Sequence, residues 1–115
     1  MFSLTSAHQY YIYNRATDMR KGFDSLCGII QSQLGKNPAS GEVFIFINRP
    51  RNKIKLLHWE PYGFTIYYKR LEQGTLELPP TEKNNSSISI NWTDLVMIIE
   101  GISLQNIKKR KRYNK

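Results

Sequence analysis

Val43-Phe44-Ile45-Phe46-Ile47 is an uninterrupted apolar run of β-branched and aromatic residues, too short for a helix and closed by turn-formers on both sides. Ser40-Gly41 precede it, and Asn48-Arg49-Pro50-Arg51-Asn52 follow. The run reads as a central strand, and the turn after it sends the chain back as a second strand, Lys53 to Trp59. Glu60-Pro61-Tyr62-Gly63 then has Pro and Gly placed for a tight reversal, and Phe64 to Lys69 makes a third strand. Short turns between successive strands imply an antiparallel meander. Gln9 to Tyr13 suits another strand, and Ser87 to Trp92, where Ile88 and Ile90 alternate with polar residues, suits a fifth.

Between the first of these strands and the apolar run lies a helical pattern. Met19, Phe23, Leu26, Cys27, Ile30 and Leu34 recur at three-and-four spacing, with Thr17 placed to cap, Asp18 in the first turn and Gly35 as the stop. The spacing predicts one long amphipathic helix from Thr17 to Leu34 lying on the sheet. A shorter C-terminal helix is predicted from Thr93, capped by that residue, burying Leu95, Val96, Ile98 and Ile99 and ending at Gly101. The expected architecture is α+β: an antiparallel meander sheet of four or five strands with the long helix packed on a face. Residues 1–107 form a single domain and 108–115 a flexible basic tail. Pro79 to Ser87 has the composition of a loop.

Charge says what such a domain can hold. The net charge is +8, and it is concentrated. Arg49, Arg51, Lys53, Lys55, Lys69 and Arg70 lie in one stretch; Lys108, Lys109, Arg110, Lys111, Arg112 and Lys115 lie in the last eight residues. Glu60 is the only acid in either. Such a field favours a polyanion, because each phosphate neutralised releases condensed counterions. Alternation along the strands groups Lys53, Lys55 and Trp59 on one face of the second strand and Tyr67 and Lys69 on one face of the third. If those faces coincide and are exposed, basic residues interleave with aromatics. Arg49, Arg51, Lys53, Lys55, Trp59, Tyr67, Lys69, Arg70 and the tail residues 108 to 112 are therefore the expected nucleic-acid-binding set.

Other chemistry is sparse. The chain has two histidines and one cysteine, which at no spacing make a metal-ligand cluster, and no glycine motif for a phosphate-bearing cofactor is present. Cys27 lies on the apolar stripe of the predicted helix and reads as a small core residue. His58 and Glu60, two apart on a strand face, could share a proton, but a structural histidine near a turn is the stronger reading. Asp18 and Asp24 point to different sides of a helix and make a poor two-metal site. Trp92 reads as core. A single cysteine, the absence of any run approaching the ~20 apolar residues of a membrane span, and an N-terminus without a basic leader all place the expected protein in the cytoplasm.

Four stretches carry a family resemblance. Thr17-Asp18-Met19-Arg20-Lys21-Gly22-Phe23-Asp24, Phe46-Ile47-Asn48-Arg49 with Lys53-Ile54-Lys55-Leu56-Leu57-His58-Trp59-Glu60, Tyr67-Tyr68-Lys69-Arg70-Leu71-Glu72, and Glu100-Gly101-Ile102 before a basic end are in order along nearly the whole chain. They resemble the TnpB accessory proteins of insertion-sequence-66-type bacterial transposable elements, departing mainly at Pro79 to Ser87 and at Pro50. The resemblance implies an accessory factor for DNA transposition that acts beside a separate transposase, and with the basic surface the expected role is non-enzymatic DNA binding. Its expected partners are the element's DNA and that transposase, and no cofactor is implied. It points to Arg49, Lys53, Lys55, His58, Trp59, Lys69 and Arg70 as the surface to test. An adaptor that binds the transposase, with an incidental basic tail, is the alternative.

Overall fold

The computed structural model describes residues 4–79 and 85–100. Five strands form one sheet: β1 (Tyr10–Tyr13), β2 (Val43–Ile47), β3 (Lys53–Glu60), β4 (Gly63–Arg70) and β5 (Ser87–Ile90), in the spatial order β4-β3-β2-β1-β5. The meander β2-β3-β4 is antiparallel as the turns predict, with Ile45 opposite Leu56 and Leu57 opposite Ile66. The expectation of an antiparallel sheet throughout needs one correction: β1 runs parallel to β2, Tyr11 opposite Phe44. The cause is the helix between them, since a crossover along one face returns the chain in its original direction. β5 closes the other edge antiparallel to β1.

Every residue of β2 is buried. On one face Phe44, Phe46 and Leu57 pack against Leu26 and Ile30 of the first helix, with Cys27, Tyr11 and Ile66 partly buried around them. On the other, Tyr10, Ile12, Val43, Ile45, Ile54 and Leu56 pack with Leu95, Ile98 and Ile99 of the last helix, and Trp92 closes the edge 5.9 Å from the ring of Tyr10. The sheet is thus covered on both sides, which is why its central strand can be apolar without alternation. No helix among the described residues is long and apolar enough to cross a membrane.

The predicted long helix is shorter than its pattern. α1 spans Phe23–Ile29 and continues as a π-helical turn, Ile30–Leu34, which Gly35 ends in the left-handed conformation at φ 64°. Thr17 does not cap it. That residue is buried and its N–H donates to the Ile47 carbonyl at the end of β2. Two contacts hold the next residues out of the helix. The Asp18 carboxylate accepts the Arg20 backbone N–H at 2.9 Å, and the Lys55 ammonium donates to the carbonyls of Met19 and Lys21 at 2.7 and 2.8 Å. Those carbonyls would accept from helix N–H groups one turn later, so Lys55 takes the place of the helix's first turn. The helix starts after Gly22, whose carbonyl accepts from Leu26 N–H.

α2 (Trp92–Glu100) is the predicted C-terminal helix, capped two residues earlier than expected: Asn91 rather than Thr93 accepts the Asp94 N–H, at 2.8 Å. Leu95, Ile98 and Ile99 are buried as expected, while Val96 is half-buried. The predicted helix end at Gly101, the tail and most of the Pro79 to Ser87 loop lie outside the described residues.

Candidate nucleic-acid interface

Strand directions bring three loops together. The carboxyl ends of β1, β2 and β4 and the start of β3 fall at one end of the sheet, so residues 14–20, the 48–52 turn and the segment after Arg70 are neighbours. The turn is tightly built. The Asn48 side-chain oxygen accepts from the N–H groups of Asn52 and Lys53, its amide nitrogen donates to Asn52 Oδ1 at 2.7 Å, and Arg51 N–H closes onto the Asn48 carbonyl. Arg51 is left-handed, at φ 60°. Two hollows flank this turn. Arg15, Arg49 and Arg51 line one; Arg20, Arg49, Lys53 and Tyr68 line the other, with Asp18.

Of the expected set, Arg49, Arg51, Lys53 and Arg70 are brought to this end. Arg49 and Arg51 are exposed, and Lys53 sits opposite Arg70 in the β3–β4 register. Arg70 is exposed and held by Glu72 at 2.8 Å. None of the ion pairs among the described residues engages Arg15, Arg49, Arg51 or Lys53. Glu42 and Glu60 lie at the opposite end, beyond β2's start and at β3's finish.

The remaining residues do not form the expected basic-aromatic face. The register pairs Lys55 with Tyr68 and Leu56 with Tyr67, so Tyr67 and Lys69 lie on the opposite face from Lys53 and Lys55. Lys55 is 8% exposed and spent on the 19–21 carbonyls. Lys69 donates to the Ile99 carbonyl at 3.1 Å, capping α2 where a cation is favoured. Tyr67 packs against the α2-side core, and Trp59 meets Phe64 edge-on at 4.9 Å. Residues 108 to 112 lie outside the described residues.

Residues 8–109 match the family described as "IS66 Orf2 like protein". The chain belongs to the IS66 Orf2-like family. The resemblance carried by the Thr17, Lys53 and Tyr67 stretches therefore holds, and the chain is a transposition-associated protein of an insertion sequence. It is similar to the uncharacterized protein y4hO of Sinorhizobium fredii, at 34% identity over 86 residues, 75% of this chain and 73% of that one. It is also similar to the uncharacterized protein y4jC of the same organism, at 20% identity over 99 residues, covering 86% and 83%. No solved structure matches.

The IS66 Orf2-like chain adds three residues to the site that charge counting along the strands passes over: Arg15, Arg20 and Tyr68. Arg15 and Arg20 join only because β1 is parallel to β2, which carries the loop after β1 to the turn end. Arg20 makes a two-pronged pair with Asp18, its Nη2 2.7 Å from Oδ2, and that guanidinium holds the Asp18 carboxyl well below the usual carboxylate range.

His58 has a different place. It is buried, its ring edge-on to His8 at 4.8 Å, and its Nδ1 lies 3.7 Å from Glu60 Oε2, too far for a hydrogen bond. Burial pushes the imidazole pKa down, His8 adds to that, and Glu60 opposes it. A histidine that protonates less readily when folded makes the unfolded state the better proton binder. Its stabilising contribution is complete above the unfolded value near 6.5 and lost as pH falls from there toward the folded value. Melting curves between pH 7.5 and 5 should fall more steeply for the natural chain than for His58→Gln; equal slopes would remove His58 from the account.

Proposed function

We propose that this protein is a DNA-binding accessory factor for transposition of its element, gripping phosphates with the turn-end cations and with the basic tail. The observation that carries the reading is Arg15, Arg49, Arg51 and Lys53 gathered at one end of the sheet without ion-pair partners among the described residues, with Glu42 and Glu60 at the other. The tail supports it. Lys69 ties the end of α2 to this same end of the sheet, and Lys108 follows Glu100 closely enough to begin within about 28 Å of it even on a fully extended chain. Without residues 108–115 the net charge drops to +2. Phosphate contacts position a protein without reading sequence, so little preference between element-end and random duplexes is expected from these residues. With roughly six phosphates engaged, log K falls against log salt with a slope of about −5. Anisotropy titrations over a range of salt check this; binding indifferent to salt, or none below about 0.1 M, sinks the reading.

The adaptor reading has one observation of its own. Tyr62 stands fully exposed at the tip of the β3–β4 hairpin, at φ 75°, at the end away from the basic cluster. A pull-down with the element's transposase separates the two. Capture that survives deletion of residues 108–115 but fails for Tyr62→Ser, together with negligible DNA binding, establishes the adaptor.

A further inference from the structure

The hollow between residues 16–20 and the 48–53 segment is built differently from a surface that only attracts phosphate. Its floor includes an aromatic ring: Tyr68, on the edge strand β4, is 49% exposed. One face of that ring is covered by the Lys55 ammonium, 4.7 Å from the centroid. That ammonium is itself fixed by the Met19 and Lys21 carbonyls, so the ring is backed by a rigid support. The Arg20 guanidinium, which also lines the hollow, is held by both Asp18 carboxylate oxygens and presents a plane suited to stacking. Arg49 and Lys53, the hollow's other cations, are free of ion pairs among the described residues. At about 640 Å³ the hollow is of the size that takes a small organic ligand.

A supported aromatic ring in one hollow with two available cations is the arrangement that holds one base and its adjoining phosphates. Bases within a continuous duplex are stacked on each other and cannot reach it. We propose that this hollow takes an unpaired nucleotide, the base laid against Tyr68 and the phosphates on Arg49 and Lys53, so that the protein selects single-stranded ends or gaps over continuous duplex. The inference rests on the phosphate-binding reading above and adds to it the class of DNA.

The test uses the full chain with a short blunt duplex, the same duplex carrying an unpaired overhang, and a single strand. Stacking of one base gives roughly tenfold tighter binding, so the overhang and the single strand should exceed the blunt duplex by about that factor. Tyr68→Leu should abolish the difference, and Tyr68→Phe should keep it. A 2-aminopurine in the overhang should be quenched by the natural chain, a readout that needs no variant to fold. Equal affinity for blunt and overhanging DNA, absent quenching, or a preference that survives in Tyr68→Leu overturns the proposal while the phosphate reading stands. Absence of all DNA binding overturns both.

Discussion

Lys55→Ala is expected to destabilise the fold by about 3 kcal/mol or more, although the position looks from sequence like a phosphate contact. The ammonium makes two charge-assisted hydrogen bonds to the Met19 and Lys21 carbonyls, each worth roughly 1.5–3 kcal/mol, and its loss leaves both acceptors without that donor. It also covers one face of Tyr68. For a chain of this length about 4 °C of melting temperature corresponds to 1 kcal/mol, so a drop of roughly 12 °C should appear in a thermal melt followed by circular dichroism. Lys55→Met keeps the aliphatic stem and should lose less stability while leaving the salt dependence of DNA binding unchanged. A Lys55→Ala melt within ~2 °C of the natural chain, under half a kcal/mol on that scale, would contradict the role assigned to Lys55 at the start of α1.

Combining Arg49→Gln, Arg51→Asn and Lys53→Gln should weaken DNA binding by about two orders of magnitude at 0.1 M salt. Three phosphate contacts at about 0.9 each multiply the binding constant by roughly 500-fold between 1 M and 0.1 M salt, and the same three should reduce the slope of log K against log salt by about 2.7. Asn is chosen at Arg51 because φ there is 60°, a region Asn tolerates better than most residues. Arg49 and Arg51 are exposed and Lys53 is half-buried without an ion pair, so thermal stability should change little. Lys36→Gln removes a charge that sits over the Tyr11 ring, beyond the helix and away from the turn end, and should leave the slope nearly intact. A triple variant that binds as the natural chain does would move the interface elsewhere.

The three meander strands are legible because each apolar run is closed by residues whose turn chemistry is local: Asn48 caps its own turn, and Gly63 pairs with Glu60 across the reversal. What is not legible depends on long-range partners. The first turn of α1 is lost to an ammonium 34 to 36 residues away, which no periodicity around Thr17 can reveal. The sides of β3 are assigned correctly by alternation. Carrying them to β4 needs the register, and a shift of one residue put Tyr67 and Lys69 with Lys55 in place of Tyr68. Within the candidate site Arg49, Arg51, Lys53 and Arg70 were visible as charge. Arg15 and Arg20 were not, since their place beside that turn follows from the parallel β1–β2 pair.

On the proposed function, DNA meets the end of the sheet where the 48–52 turn lies. Backbone amide chemical shifts of the full chain, followed by NMR as a short duplex with an overhang is added, test it residue by residue. Perturbations are expected at residues 14–20, 48–53 and 68–72 together with the basic tail, with Glu42 and residues 60–63 unmoved. Shifts confined to residues 108–115, or centred on the β3–β4 hairpin tip, would contradict it.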